Sequence, residues 1–237
     1  MSRLKKIGKL LVIVLLPILL QAFASRRNDA RAVKELRVRY IGTENMYITD
    51  ETIRKLLFKR DRQEYLYEVN LHELEDLLNA HVMVERSEVF HTIDGTVEAQ
   101  VKQREPIGRI NEQGKFYYMD SQGKQMPLSA TYSARVPLIS GAVGKENWET
   151  TYELLKYIRN DDFLTKNVTE IIVKNNGDYN IKMRVADFVV ILGDLENLDT
   201  KKANLKAFYK KAEKSKLLNV YKTVNLKYSN QVICIRN

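Results

Sequence analysis

The N-terminal segment constrains this chain more than any other feature, because it joins a basic head to a short apolar run. Four Lys or Arg residues lie among the first nine positions, only apolar residues occupy Leu10–Leu20, and Arg26 and Arg27 follow. A helix needs roughly 17–25 mostly apolar residues to cross a bilayer, and basic flanks suit its two ends. We therefore predict a cytoplasmic head at 1–9, a single transmembrane anchor at 10–25 and an extracytoplasmic remainder.

A cleavable signal peptide is the alternative for the same segment, since it also has a basic start and an apolar core. Ala22-Phe23-Ala24 fits the small-residue pattern that precedes a cleavage site. Two arginines follow almost directly, and such charges suit an anchored helix better. The sequence leaves both alternatives open, and both place the remainder of the chain outside the cytoplasm.

The positive charge of the chain belongs mainly to this N-terminal segment. The chain has 237 residues and a net charge of +9, and its first 34 residues hold eight Lys or Arg against one Asp, which accounts for +7. The remainder is long enough for one large or two small domains and is only slightly basic. Because nucleic-acid-binding domains concentrate positive charge, we predict no nucleic-acid partner.

No pattern of catalytic or metal-binding residues stands out in the chain. The three histidines, His72, His81 and His91, lack the spacing of a zinc motif, and Cys234 is the only cysteine. The chain also lacks a Gly-rich phosphate loop and a serine in a nucleophile elbow. We predict a protein without enzymatic activity, cofactor or metal, whose fold is held by packing rather than by disulfides.

Residues 36–105 have the pattern of a β-α-α-β-β domain. Leu36–Ile41 alternates between apolar and polar residues as a strand does, and Asn70 with a glutamate three residues later resembles the capping box of a helix. Two further alternating runs flank Asp94-Gly95, a pair that is typical of hairpin turns. In the second of these runs the alternation predicts that Glu98 faces solvent.

Residues 106–237 have the pattern of a mixed β-sheet domain with two helices. The first helix spans 146–160, and the second begins at Asp199 or Thr200, ends at Lys214 and turns its lysines to solvent. A hairpin closes the chain. The predicted fold class is therefore α+β, with one transmembrane helix, a β-α-α-β-β domain and a mixed-sheet domain.

Four short motifs give the chain a resemblance to a known family. They are a domain-boundary motif at Gln103–Arg109, an aromatic hairpin with Asp-x-x-Gly at Phe116–Gly123, a Leu-Pro-x-Leu-x-Gly-like segment at Val136–Gly141 and a Val-Asp-Leu-Arg-Tyr-like strand at Val224–Tyr228. In this order they resemble the motifs of the bitopic bacterial cell-division proteins of the FtsQ/DivIB family. Asn225 departs from the acid that the family has at its position.

The resemblance implies a non-catalytic scaffold of the division machinery. It makes residues 36–105 a POTRA-like domain and residues 106–237 the C-terminal β domain, at the inner membrane of the division septum with the N terminus in the cytoplasm. The implied partners are small bitopic coiled-coil proteins of the FtsB/FtsL type and other division proteins. The alternatives are another POTRA-bearing envelope protein, in outer-membrane assembly or secretion, and an envelope enzyme.

The resemblance also implies how the partner binds. The family's C-terminal domain adds a strand of the partner to an exposed sheet edge, which offers unpaired N–H and C=O groups. The residues expected to bind the partner are Tyr228, Ser229, Asn230, Gln231, Val232, Ile233, Cys234 and Ile235. An interior strand buried on both faces is the alternative, because such strands also have continuous apolar runs. Leu36–Ile41 is a second candidate edge.

Overall fold

The structure, a computed structural model, describes residues 2–29, 32–42, 47–58, 65, 69–92, 94–228 and 231–236. Contacts divide the chain into two compact units, of which unit 1 ends at Gln103 and unit 2 begins at Arg104. Each unit has a β-sheet of its own, and helices accompany both sheets. The predicted α+β class is confirmed.

The chain begins with a helix, α1 (Ser2–Asp29), which runs through both the predicted head and the predicted anchor. Among the described residues, no helix is both long enough and apolar enough to cross a membrane. The structure therefore gives no support to the predicted transmembrane anchor at 10–25. The uninterrupted apolar run ends at Leu20, where Gln21 follows, so it is shorter than the roughly 17–25 residues that a span requires.

Unit 1 has the predicted β-α-α-β-β order. Its elements are β1 (Glu35–Tyr40), α2 (Asp50–Leu57), α3 (Leu71–Asn79), β2 (Val84–His91) and β3 (Thr96–Gln103). At the start of α2 the Thr49 hydroxyl accepts a hydrogen bond from the Thr52 N–H. At the start of α3 the Asn70 side chain accepts one from the Glu73 N–H, as predicted. Both bonds satisfy N–H groups that a helix leaves unpaired at its first turn.

The sheet of unit 1 has the order β1-β3-β2, with β1 parallel and β2 antiparallel to the central strand. Val97, Ala99 and Val101 of β3 are fully buried, as their alternation indicates. The prediction that Glu98 faces solvent is wrong. Glu98 is buried because β3 has a strand on each side, and the Arg39 guanidinium of β1 lies 3.2 Å from its carboxylate. A buried charge needs such a partner.

Unit 2 is built, within the described residues, on one mixed sheet of nine strands. They are β4 (Pro106–Glu112), β5 (Lys115–Asp120), β6 (Gln125–Met126), β7 (Leu138–Gly141), β8 (Val168–Val173), β9 (Tyr179–Met183), β10 (Val189–Gly193), β11 (Tyr221–Asn225) and β12 (Ile233–Arg236). Their order is β12-β11-β10-β9-β8-β7-β4-β5-β6. The pairs β4–β7, β7–β8 and β10–β11 are parallel, and the others are antiparallel. The two ends of the sheet are therefore β12 and β6.

The described part of unit 2 contains three α-helices, one more than predicted. They are α4 (Trp148–Arg159), α5 (Asp162–Asn167) and α6 (Leu198–Lys214), and 3₁₀ turns lie at Lys145–Asn147 and Leu218–Val220. Asp161 caps the additional helix, α5, because its carboxylate accepts hydrogen bonds from the N–H groups of Phe163 and Leu164. Six residues make less than two turns, so α5 is too short to give a helical period in the sequence.

One core lies between these helices and the sheet of unit 2. Leu155 and Ile158 of α4 and Leu205 and Tyr209 of α6 belong to it. The strands contribute Ile139, Ile171, Ile181, Val190 and Val224, all of which are buried. Burial of each large apolar side chain stabilises the fold by roughly 1.5–3 kcal/mol, and this core fixes the sheet to which the terminal hairpin belongs.

The α6 helix departs from the predicted solvent-facing lysines at one position. Lys201 is buried, and its Nζ donates hydrogen bonds to the Asp194 carboxylate at 2.6 Å and to the Asp194 carbonyl oxygen at 2.9 Å. The bond from Lys201 holds the pKa of Asp194 below its usual value. The aliphatic part of a lysine can pack against apolar neighbours while its ammonium group forms an ion pair with a carboxylate from a loop. A helical pattern alone does not reveal such a lysine.

Asp120 of the aromatic hairpin motif makes two kinds of contact. Asp120 is almost fully buried, and one of its carboxylate oxygens lies 2.7 Å from Nη1 of Arg104. The other oxygen accepts hydrogen bonds from the N–H groups of Gln122 and Lys124, at 2.9 and 2.8 Å. Gly123 has a positive φ of 73°, which favours glycine. The Asp-x-x-Gly pattern therefore forms the turn between β5 and β6 and fixes the start of unit 2.

Candidate interaction site at the terminal sheet edge

The last strand, β12, lies at one end of the unit 2 sheet with β11 as its neighbour. The two strands are antiparallel, and Val224 pairs with Cys234 near their centre. The parallel pairing of β11 with β10 joins this hairpin to the rest of the sheet. On the outer side of β12, the N–H and C=O groups face no strand of the described chain, so they are available to pair with a further strand.

The structure describes six of the eight residues that the sequence predicts at this edge, since Ser229 and Asn230 lie outside the described residues. Tyr228, Gln231, Ile233 and Ile235 are exposed, and Val232 and Cys234 are half-buried. The strand itself begins at Ile233, inside the stretch expected to bind the partner. The alternative of an interior strand buried on both faces is wrong, because β12 is at the edge and only partly covered.

The side chains around β12 point alternately to the two faces of the sheet. Cys234 packs against the core of unit 2, and so does Val232 directly before the strand. Ile233 and Ile235 point to the opposite face and expose 40% and 57% of their surface. The free edge of the sheet therefore carries two exposed, β-branched apolar side chains.

At the other end of the same sheet, the last strand, β6, is too short to offer an open edge. β6 has only two residues, and Met126, one of them, is fully buried. A strand this short offers few free N–H and C=O groups to another chain. The β6 end is therefore poorly suited to strand addition.

The two edges of the unit 1 sheet are protected by polar side chains. At β1, Glu35, Arg37 and Arg39 are exposed, and charged side chains hinder pairing at an edge. At β2, the Ser87 and Val89 N–H groups donate hydrogen bonds to side chains of α3. Of the described edges, β12 is therefore better suited to strand addition than β1, the second candidate.

Two polar side chains of α3 accept hydrogen bonds from N–H groups of β2. The Asn79 side chain accepts a hydrogen bond of 2.7 Å from the Ser87 N–H, and the Glu75 carboxylate accepts one of 3.4 Å from the Val89 N–H. These N–H groups already have partners within unit 1. A strand that approached β2 would have to displace the helix side chains.

The titratable groups near β12 have structural roles. Lys227 Nζ lies 2.9 Å from Asp178 Oδ2. This bond joins the segment after β11 to the turn between β8 and β9, and it lowers the pKa of Asp178. Burial raises the pKa of the Cys234 thiol, which makes it a poor nucleophile near neutral pH. Across the residues that the structure describes, no three His, Cys, Asp or Glu side chains are grouped to hold a metal ion.

Arg236 also belongs to this edge, although the residues expected from the sequence end at Ile235. It belongs to β12 and pairs with Tyr221 across the hairpin. The predicted strand stops at Ile235 because the apolar run stops there. The alternation of side chains continues for one more position beyond the apolar residues. This alternation is the sequence signal that could have identified Arg236.

Comparison with known proteins gives one family match. The family described as "FtsQ/DivIB, C-terminal related" matches residues 105–235, which is more than half of the chain and nearly the whole of unit 2. No curated protein matches the chain. The matched region contains the nine-stranded sheet, the helices α4 to α6 and all but the last residue of β12.

Proposed function

Because this chain belongs to the FtsQ/DivIB family, a family of non-enzymatic cell-division scaffolds, we propose that it recruits small single-pass division proteins to the division machinery. The proposed partners are of the FtsB/FtsL type, and the proposed mode of binding is addition of a partner strand to β12. A role in cell division follows from the family itself.

The observation that carries this proposal is the open apolar edge formed by Ile233 and Ile235. An exposed apolar edge strand is an aggregation hazard that proteins ordinarily avoid. A partner strand removes the hazard, because it satisfies the backbone groups and covers the two isoleucines. Edge strands of this kind bind extended peptides through main-chain hydrogen bonds, while alternate side chains give specificity.

The size of β12 sets the strength of the proposed contact. A partner strand along four residues forms about four new backbone hydrogen bonds, each worth a net of roughly 0.5–1.5 kcal/mol. Covering the isoleucines adds about 25 cal/mol for each Å² of apolar surface removed from water. These contributions must also offset the loss of freedom on association. Strand addition alone therefore gives a moderate affinity, and neighbouring contacts are needed for a tight complex.

The location of the protein is part of the same proposal. We place it at the inner membrane of the septum, with its N terminus in the cytoplasm and its bulk outside. The proposal is supported by the basic head, the apolar run and the basic residues that follow it. The β-α-α-β-β order of unit 1 is compatible with a POTRA-like domain that contacts other division proteins. Reporter fusions after α1 and at the C terminus test this topology.

The proposed partner can be captured by photo-crosslinking in dividing cells. A photoreactive residue at Ile233 or Ile235 is expected to give an adduct with a small single-pass protein, identified by mass spectrometry. His72 is the control position because its side chain is 84% exposed and belongs to unit 1, whereas β12 belongs to unit 2. Equal adducts at His72 and at the two isoleucines, or none at either isoleucine in cells with abundant folded protein, would contradict strand addition.

A further inference from the structure

A groove borders the terminal edge on the side of α6. Its volume is about 380 Å³, which is within the size range of binding pockets. Its lining includes Ala207, Phe208, Lys211 and Ala212 of α6 and Tyr221, Val232 and Cys234 of the terminal hairpin. The small side chains of the two alanines leave the space open. The groove has room for a bulky apolar side chain.

The groove lies where a strand added to β12 would direct half of its side chains. Cys234 lines the groove, and Ile233 and Ile235 point to the opposite face of the sheet. A neighbouring strand lies about 4.8 Å away, and its alternate side chains point to the same face as Cys234. A residue of the added strand opposite Cys234 would therefore project toward the groove.

The two halves of α6 differ in the partners of their lysines. In the first half, Lys201 pairs with Asp194, Lys202 with Asp199 and Lys206 with Asp161. In the second half, Lys211 and Lys214 are exposed, and neither has an acidic partner within the part of the chain that the structure describes. The acids of unit 2 therefore neutralise only one half of the helix.

Two of the α6 lysines without an acidic partner, Lys211 and Lys214, lie on the groove side of the helix. Lys211 lines it, and Lys214 follows Ala207 by two turns on the same stripe of α6. Arg236 alternates with Val232 and Cys234 and thus lies on the groove face of β12, where the described residues provide no carboxylate within ion-pair distance. The apolar groove is bordered by three cations.

We propose that the groove receives a bulky apolar side chain of the strand that pairs with β12, and that Lys211, Lys214 and Arg236 select a strand with carboxylates beside that side chain. This inference rests on the strand addition proposed above and specifies the chemistry of the partner. The occupant is an extended, acidic segment of another protein. The groove supplies the anchor, and the cations distinguish this segment from other apolar strands.

Selection from a displayed library of random 12-residue peptides tests the inference on the full-length chain. Peptides enriched on the wild type are expected to combine an aromatic or large aliphatic residue with neighbouring Asp or Glu. Ala207→Trp fills the groove from an exposed position of α6. It is expected to weaken the enriched peptides about tenfold or more, because it excludes the anchor side chain. Ala203→Trp is the matched control, since Ala203 is exposed on the same helix but does not line the groove.

A pair of charge reversals tests the selection of acidic strands. Lys211→Glu with Lys214→Glu is expected to weaken the enriched peptides about fivefold or more and to reduce the salt dependence of binding. Lys115→Glu with Lys124→Glu makes the same change of net charge near the other end of the sheet, on exposed residues. This control is expected to leave binding within about twofold of the wild type, since its charges are far beyond a screening length of about 8 Å.

A third variant, Ile233→Lys with Ile235→Lys, separates the groove from the edge. If the peptides no longer bind this variant but bind Ala207→Trp as well as they bind the wild type, the groove does not receive the anchor side chain. Strand addition would then remain supported. Peptides that bind this variant as well as the wild type would overturn strand addition itself. An absence of enriched peptides, or enrichment without acidic residues, would overturn the inference about the partner's chemistry.

Discussion

The two ends of the unit 2 sheet differ in how they meet solvent. At the β6 end, the last strand has two residues, Met126 is fully buried, and Asp120 fixes the turn that leads into it. At the β12 end, a longer strand exposes Ile233 and Ile235 and pairs with β11 alone. One sheet thus has a closed end, whose last strand is short and partly buried, and an open end, whose last strand exposes apolar side chains and backbone groups as a binding surface does.

The unit 1 sheet shows that the open end is not a general feature of this chain. Charged side chains protect β1, and the Asn79 and Glu75 side chains of α3 cover N–H groups of β2. These are ordinary ways to prevent association through sheet edges. Because both unit 1 edges are protected in these ways and β6 has only two residues, the apolar β12 edge requires a functional explanation, and binding of a partner strand provides one.

The largest effect on stability is expected at the closed end. Met126→Ala removes a fully buried side chain and is expected to lower the free energy of unfolding by about 2–5 kcal/mol. Ile235→Ala, at the open end, is expected to cost less than about 1 kcal/mol because the side chain is mostly exposed.

Denaturant unfolding, followed by the fluorescence of the single tryptophan, measures both variants. Trp148 reports on unit 2, since its indole N–H donates to the Gly123 carbonyl oxygen at 2.8 Å. Equal losses for the two variants would mean that the β12 edge is as well packed as the β6 end and would remove the contrast.

The largest effect on partner binding is expected at the open end. Ile233→Lys with Ile235→Lys places two charges on the edge and is expected to reduce the yield of partner co-purified with the chain at least tenfold. Its free energy of unfolding is expected to stay within about 0.5 kcal/mol of the wild type. Val185→Lys, at an exposed valine elsewhere in unit 2, is the control and should leave the yield unchanged. Unchanged recovery of partner by the double variant would contradict binding through β12.

Removing charge from β1 should make a protected edge resemble the open one. Glu35 and Arg37 are both exposed and form an ion pair at 2.6 Å. Glu35→Val with Arg37→Val leaves the net charge of the chain unchanged but exposes two β-branched apolar side chains at this edge. Sedimentation velocity is expected to show stronger self-association than in the wild type, with a change in unfolding free energy of no more than about 0.5 kcal/mol. A variant that associates no more than the wild type would show that these charges do not protect β1.

The smallest effect is expected from the ion pair that supports the open end. Lys227 lowers the pKa of Asp178, so the folded state favours the carboxylate. This contribution is present above the unfolded-state pKa of about 3.9 and is lost as the pH falls through the lower folded-state pKa. Asp178→Asn should therefore be slightly less stable than the wild type at pH 7 and equal to it in strong acid. A difference that persists at the lowest pH would show that Asp178 acts other than through its charge.

The elements that the sequence predicts well have local causes. The cap at Asn70 depends on residues within one turn, and the Asp94-Gly95 hairpin depends on its two central residues. The terminal strand carries its own apolar run and ends one position later than the run does. At these places the neighbouring residues alone determine the structure.

The features that the sequence does not reveal depend on distant parts of the chain. The buried Glu98 pairs with Arg39 from another strand, and the buried Lys201 pairs with Asp194 from a loop. The groove beside β12 forms only when α6 and the terminal hairpin come together. No periodicity along α6 marks Ala207 as the position that leaves the space. Helix period identifies the face of a helix, but tertiary packing decides what that face meets.

Hydrogen–deuterium exchange of the full-length chain, alone and with the partner captured by crosslinking, tests strand addition most directly. In the free protein, the outward N–H groups of β12 face no strand of the described chain and should exchange quickly. A partner strand should slow exchange over Ile233–Arg236 at least tenfold, while β6 and the edges of unit 1 stay unchanged. Protection elsewhere, with β12 exchanging at the same rate in both states, would contradict the account.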